Sequence, residues 1–412
     1  MSLGKSRVVW IDQLRGFAFF CVLFSHLNTY SQIKQVIGSF HMPLFFIISG
    51  LLLNPERILQ KKLGPQILHK MQALGIPYLW TCFALFPFWV ITYKILGNTK
   101  VSLGHVVKGI FVSQNLWYTA PANPVWFIGA LFFATLYVYV IIKITGTHKR
   151  VRFVLMAALM AAGFACRDLV MPWHINTAMV GAGYIYIGYL IRTYLLDRTE
   201  KMEKNRQILV LSLLIAGMFF SYTNTPAIMV TGGYGRAYLF LGSSVLISLA
   251  LILMFQKAKE DRFMAFMGQN TLFILGAHIS IIRLMEKLFP YTMQANNRCV
   301  LLSILMFFLL AGISFAINRY WPYVNGKFST FTGTVREYVL RYLMIVWCAM
   351  IPVYIVLKKI GVLAAGTGIF VQAVILGVCV LLASALFLLV TSRWCPWIYL
   401  SRRMPPASAN GE

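Results

Sequence analysis

Three side chains that can do chemistry interrupt the first apolar stretch of the chain, namely Asp12, Arg15 and His26. In a helix, Arg15 and His26 would lie about 20° apart around the axis and about 16 Å apart along it. Asp12 would lie one turn before Arg15, at the spacing that allows an ion pair with the guanidinium. Because charged residues are unfavourable within a membrane span, this spacing predicts a polar stripe with a function.

The chemistry open to this stripe is anion binding at one end and proton transfer at the other. Arg15 can bind an anion or polarise a carbonyl, and His26 can take a proton from a hydroxyl and return it to a thiolate leaving group. The alternative is structural: an ion pair at the start of a helix, and a histidine that bonds to a neighbouring helix. The residues of this stretch leave both interpretations open.

The second apolar stretch adds candidate residues at both ends. His41 is expected to begin the second span on the same outer side as His26, where the two imidazoles can share a cavity or His41 can be merely interfacial. Pro43 fits near the first turn, and Ser49-Gly50 lets another helix approach closely. The basic run that follows contains Arg57, Lys61, Lys62 and Lys70, which can grip the phosphates of a nucleotide-like donor or anchor to lipid headgroups.

Composition shows which kind of fold must position these residues. Of the 412 residues, 59% are apolar and 12% are charged, about half the charged share of a soluble chain. Many apolar stretches approach the length of a bilayer-spanning helix, so a soluble enzyme, a disulfide scaffold and a disordered protein are excluded. The net charge is +26, but Lys and Arg lie in short links between apolar stretches, so no nucleic-acid partner is expected.

The sequence predicts an all-α polytopic integral membrane protein with about 12 transmembrane helices. The predicted spans lie near 8–28, 38–54, 73–96, 124–143, 152–171, 176–196, 207–222, 237–256, 270–289, 299–318, 339–357 and 367–391. About 25 of the 37 Lys and Arg would lie on the side that carries the N-terminus, which places both termini in the cytoplasm. The predicted units are a membrane core over 1–320, two further helices over 321–400 and a short cytoplasmic tail over 401–412.

Two further features concern ligands. The longest outer loop, roughly 97–123, contains Asn115 and Trp117, which can hydrogen-bond to and stack on sugars or belong to an interfacial aromatic belt. The seven cysteines are scattered and form no Cys-x-x-Cys pair, so neither disulfides nor a metal site is expected.

Four segments, in this order, resemble the membrane-bound acyltransferase-3 family, over roughly Arg7 to Leu310. They are Asp12-Gln-Leu-Arg-Gly16 with Ser25-His26, His41-Met-Pro-Leu-Phe-Phe-Ile-Ile-Ser-Gly50, Asn123-Pro-Val-Trp-Phe-Ile-Gly-Ala-Leu-Phe132, and Gly268-Gln-Asn-Thr-Leu-Phe-Ile-Leu-Gly-Ala-His278. The resemblance implies a ten-helix acyltransferase core, to which this chain adds two C-terminal helices.

The resemblance also implies an activity: transfer of an acyl group, usually acetyl from acetyl-CoA as co-substrate, to a hydroxyl of a cell-surface glycan or lipid-linked saccharide. By this resemblance, His26 would be the catalytic base, and Arg15 would be its partner at the donor. Trp126 would shape the cavity and His278 would line it. The expected partners are the lipid bilayer, acyl-CoA and the acceptor, and the expected location is the bacterial inner (plasma) membrane.

One region departs from the pattern of the family. Arg57 and the lysines after it would lie near the CoA entrance, but family members often place arginines just before the Pro-Tyr that opens the third helix. Here that run reads Leu68-His-Lys-Met-Gln-Ala-Leu-Gly-Ile-Pro77-Tyr78.

Asn270 is expected to cap the helix that carries His278.

The alternative from another class is a twelve-span secondary transporter of a small anionic solute, which fits the span number and the buried charges. Transporter folds often show matching halves or paired helices broken by Gly or Pro, and the sequence shows neither. A transporter would need no CoA, so CoA binding distinguishes the two functions.

Overall fold

Backbone groups in lipid must hydrogen-bond within their own segment, and the chain meets this requirement with helices. The computed structural model describes residues 8–27, 31–97, 99–112, 123–196, 205–288, 299–331, 333–363 and 368–403. Its α-helices are α1 (Val9–Leu27), α2 (Ser31–Leu51), α3 (Pro55–Gln60), α4 (Leu63–Trp89), α5 (Leu103–Val112), α6 (Trp126–Thr145), α7 (Lys149–Ala165), α8 (Ile175–Leu190), α9 (Arg206–Thr223), α10 (Ala237–Gln256), α11 (Arg262–Gln269), α12 (Thr271–Leu288), α13 (Cys299–Tyr320), α14 (Val335–Lys359) and α15 (Ile369–Trp394).

Within the described ranges, eight helices are long and apolar enough to cross a membrane. They are α2, α4 with its π-helical extension Val90–Ile95, α6, α9, α10, α13, α14 and α15. The pair α11 and α12 makes a ninth if its 86° bend lies within one span. The other three predicted spans fall on the helices α1, α7 and α8. The all-α polytopic class is therefore confirmed, while the number of twelve spans stays a prediction.

Two helices begin earlier than predicted. The second span was predicted from residue 38 and the third from residue 73, but α2 begins at Ser31 and α4 at Leu63. As a result, Pro43 and Pro77 lie inside their helices rather than near the first turn, and His41 lies ten residues into α2. Apolar runs mark only the lipid-facing part of a helix, so polar turns that extend it escape this kind of prediction.

Glycines allow α1 and α11 to cross in backbone contact. A Cβ on Gly16 would collide with the backbone oxygen of Met264, and a Cβ on Gly268 with the backbone oxygen of Asp12. Close approach of this kind is how small residues let membrane helices pack tightly. The crossing fixes the first turns of α1 against the end of α11.

A second glycine contact joins α2 to α8. A Cβ on Gly50 would collide with the backbone of Ile185, and one on Gly188 with the backbone oxygen of Ile47. The close helix approach predicted from Ser49-Gly50 is thereby confirmed.

The two C-terminal helices pack on the rest of the bundle through α4. The indole Nε1 of Trp347 in α14 donates a 2.7 Å hydrogen bond to the Ala84 carbonyl of α4, and α15 packs on α14. A short parallel pair of strands, β1 (Ser329–Phe331) and β2 (Ser401–Arg403), follows α13 and α15 respectively. The segment predicted as a tail from residue 401 thus begins with a paired strand.

The α1–α11 crossing predicts a clear stability effect. Gly16→Ala should lower the unfolding temperature in detergent, because the added methyl forces the two backbones apart, and overpacking of this kind destabilises by about 1–3 kcal/mol. Gly312→Ala in α13 is the matched control, since apart from its own helical backbone no atom of the described residues lies within 4 Å of the added Cβ. Equal unfolding temperatures for the two variants would contradict the close crossing.

Candidate active site

Near the start of α1, a buried carboxylate contacts two polar side chains. Asp12 is 4% exposed; its Oδ1 lies 3.5 Å from Nη1 of Arg15, and its Oδ2 accepts a 3.2 Å hydrogen bond from Nε2 of Gln269. The Arg15 side chain is 23% exposed, so its guanidinium reaches an open space while its partner stays buried. The carboxylate therefore holds the guanidinium at the edge of that space.

Gln269 is a site residue that sequence reasoning missed. It lies at the end of α11, directly after Gly268, and the glycine crossing with α1 brings it to Asp12. It stands in the Gly268-to-His278 segment that carries the family resemblance, so the signal was present. The sequence alone does not show that its side chain contacts Asp12, because that contact depends on the 86° bend between α11 and α12.

Three asparagines stabilise that bend. Asn270 donates from Nδ2 to the Phe266 carbonyl at 2.6 Å, and its Oδ1 accepts from Asn318 at 2.7 Å. Asn325 donates to Oδ1 of Asn318 at 2.9 Å, and its own Oδ1 accepts from the Phe273 backbone N–H at 3.2 Å. The first turn of α12 is thus capped by Asn325 and not, as predicted, by Asn270, because the bend turns the Asn270 side chain back towards α11.

A cavity of about 720 Å³ opens beside Arg15. Its polar lining residues are Arg15, Ser49, Asn54, Arg57, Lys61, Lys62, Gln66, His69, Lys70, Thr135 and Tyr139. The structure therefore brings all four predicted donor-binding residues of the basic run together with Arg15 and Ser49. No Asp or Glu is among the described residues that line it, so the cavity suits an anion. We call this end of the bundle the basic end.

Hydrogen bonds stabilise the part of the cavity wall that carries the basic side chains. The side chain of Asn54 caps α3 by accepting from the Arg57 backbone N–H at 3.0 Å. Gln66 in the first turn of α4 donates to the Ile58 carbonyl of α3 at 3.0 Å, which ties α3 to α4. Arg192 donates to the Leu53 carbonyl at 3.2 Å, two residues after the end of α2. The basic side chains therefore lie on helices α3 and α4 and on the link between them, which these hydrogen bonds hold in place.

At the other end of α1, two imidazoles face each other. The ring centroids of His26 and His278 lie 5.1 Å apart, and His26 is exposed whereas His278 is fully buried. Nδ1 of His278 donates to the Leu275 carbonyl at 2.7 Å, which leaves a lone pair on Nε2 when the ring is neutral. Nε2 has no hydrogen-bond partner among the described residues. We call this end the histidine end.

His41 belongs to the same end but sits deeper than predicted. It lies in the middle of α2, is half-buried, and donates from Nδ1 to the Ile37 carbonyl at 2.6 Å. It is close enough to interact electrostatically with both His26 and His278. The expectation that it begins the span is wrong, because the polar residues from Ser31 onwards continue the helix.

The remaining predicted site residues lie elsewhere. Trp126 is buried at the start of α6, where its ring lies 5.5 Å from the ring of His174. His174 is itself 3% exposed, with Nε2 unpartnered among the described residues, and it adopts a left-handed backbone conformation with φ of 53°. Asn115 and Trp117 lie outside the described residues. In the described part of the chain, no group of three or more His, Cys, Asp or Glu side chains is arranged to hold a metal.

Comparison with protein families identifies the class of the protein. The acyltransferase-3 family model, described as an acyltransferase domain, matches residues 8–319. The match covers more than half of the 412 residues, and the chain belongs to this family. It is a membrane acyltransferase. No curated protein and no solved structure gives a significant match.

The contrast between the two facing imidazoles can be tested chemically. Diethyl pyrocarbonate should modify His26 in the folded protein and leave His278 unmodified, because only the first ring is exposed. Peptide mass spectrometry of the labelled protein reads out both sites, and denatured protein, in which both react, serves as the control. Modification of His278 as fast as His26 would contradict the geometry.

Proposed function

We propose that the chain transfers an acetyl or other short acyl group from cytoplasmic acyl-CoA to a hydroxyl of a cell-surface glycan or another envelope acceptor. The observation that supports this proposal is that α1 extends from the basic end to the histidine end. Arg15 opens into the basic cavity, and His26 lies 11 residues further along the same helix, about 16 Å away along its axis. One helix thus joins an anion-binding cavity to an exposed imidazole.

The donor fits the basic end. Acyl-CoA carries several phosphate charges, and Lys and Arg side chains bind phosphates by charge-assisted hydrogen bonds. The cavity offers Arg15, Arg57, Lys61, Lys62 and Lys70, with no carboxylate among its described lining residues. An acyl group carried on a long flexible arm can extend from such a cavity towards the histidine end.

In the proposed reaction, His26 takes the proton of the acceptor hydroxyl as that oxygen attacks the thioester carbonyl. The tetrahedral oxyanion then collapses, the carbon–sulfur bond breaks, and the CoA thiolate takes the proton back from His26. The rings of His41 and His278 present Nε2 lone pairs near His26, which can accept a hydrogen bond and so orient the hydroxyl or the imidazole. Asp12 acts through Arg15, which it holds at the cavity.

Transfer assays with purified protein test this function. Wild type incubated with radiolabelled acetyl-CoA and a total envelope-glycan extract should label the glycan. His26→Ala should reduce the rate by about 10²- to 10⁴-fold, because the general base is lost. His148→Ala, at an exposed histidine that precedes α7, should leave the rate unchanged.

Two outcomes would contradict the proposal. Full activity of His26→Ala would remove His26 from the chemistry. Absence of both CoA binding and transfer by wild type would favour the alternative, a transporter of an anionic solute that needs no CoA.

Orientation is proposed from charge: the basic end faces the cytoplasm of a bacterial inner membrane, with both termini on that side. Single-cysteine variants in a background with all seven native cysteines replaced by alanine test it. A membrane-impermeant maleimide should label Lys34→Cys, at the exposed start of α2, in intact cells. Arg150→Cys, at the exposed start of α7, should be labelled only after permeabilisation. The reverse pattern would invert the orientation.

A further inference from the structure

The part of the chain beyond the family match contacts a lining residue of the basic cavity through the aromatic side chain of Phe328. The ring of Phe328 stacks on the imidazole of His69, with centroids 5.4 Å apart and planes inclined by 21°. His69 lines the cavity beside Lys70 and Gln66. Phe328 lies after residue 319, where the family match ends.

The position of Phe328 depends on residues 401–403, which follow α15. β1 begins at the next residue, Ser329, and pairs in parallel with β2, so that Ser329 lies opposite Ser401 and Phe331 opposite Arg403. Strand pairing joins two segments that are 72 residues apart in sequence. The strand β1, which directly follows Phe328, is therefore held in place by β2, whose residues follow α15.

The residues just before β2 are held by several specific contacts. Nε1 of Trp80 in α4 donates to the Ile398 carbonyl at 3.0 Å, and the buried Tyr399 shares a 2.6 Å hydrogen bond with Oγ1 of Thr391. The guanidinium of Arg341 in α14 lies 4.3 Å above the centre of the Tyr399 ring. The chain then turns into β2 through Leu400, a buried non-glycine residue with a φ of 49°. A left-handed conformation at such a residue persists only where the surroundings impose it.

We propose that Phe328, held by the pairing of β1 with β2, forms the outer layer of one wall of the acyl-donor site and is a positioning residue that holds His69 against the bound anionic donor. The inference rests on the proposed function, since it takes the basic cavity to be the place of acyl-CoA. In this proposal, α14 and α15 serve to position Tyr399 and the strand β2, whose pairing with β1 holds Phe328 against His69. The wall acts on donor affinity and leaves the proton transfer at His26 unaffected.

The test measures equilibrium binding of radiolabelled CoA, together with KM for acetyl-CoA and kcat, on full-length protein. Phe328→Ala should raise the Kd and the KM by about two- to tenfold, the size expected for loss of one aromatic stack, with kcat unchanged. Phe328→Tyr keeps a ring on His69 and should restore wild-type values. Unfolding temperatures of all variants are compared in parallel.

Phe308 provides a matched control. Its ring stacks on Phe263 with centroids 5.0 Å apart and planes inclined by 27°, and it is exposed like Phe328. Its partner Phe263 is not among the described residues that line the cavity, whereas His69, the partner of Phe328, is. Phe308→Ala should therefore lose a comparable stack without weakening CoA binding.

The outcomes separate this inference from the function on which it rests. If wild type binds CoA and Phe328→Ala binds it equally well, the proposed wall alone would be overturned. The same holds if Phe308→Ala weakens CoA binding as much as Phe328→Ala does. Failure of wild type to bind CoA would overturn the proposed donor and, with it, the wall. A selective loss of affinity in Phe328→Ala that Phe328→Tyr restores would establish it.

Discussion

The structure depends on how α1 carries an ion pair within a membrane bundle. A buried pair is tolerated only when its remaining hydrogen-bonding capacity is met, since desolvation opposes the Coulombic gain. Asp12 meets this condition by binding both Arg15 and Gln269, and the second contact requires α11 to lie against α1 at backbone distance. That distance is available because both helices carry glycine at the crossing. The position of the guanidinium at the cavity follows from this arrangement.

The same crossing determines the histidine end. α11 stops at Gln269, and the chain bends by 86° into α12, which carries His278 to the ring of His26. The bend exposes backbone groups that a straight helix would satisfy. Asn270 binds the Phe266 carbonyl and Asn325 binds the Phe273 N–H, while Asn318 joins these two asparagine side chains. The two ends of the site are thus coupled through one break between helices, and the capping residue Asn325 comes from beyond the family match.

Sequence reasoning recovered most of the fold and part of the candidate site. The twelve predicted spans all fall on helices, because a run of apolar residues in lipid has few other ways to satisfy its backbone. The starts of α2 and α4 were predicted too late, and with them the depth of His41, because polar turns carry no apolar signal. Gln269 was missed for a different reason: its contact with Asp12 depends on which side chain another helix places beside it.

By itself, the sequence determined the class of the protein, the polar stripe of α1 and the family, because these depend on composition, helical spacing and local motifs. Only the tertiary structure decided that Arg15 shares a cavity with Arg57, Lys61, Lys62 and Lys70, and that His26 meets His278. It also decided that the C-terminal strand reaches the wall of that cavity through Phe328. Contacts between residues far apart in sequence arise from helix crossings, bends and strand pairings, and these depend on close packing of the whole bundle.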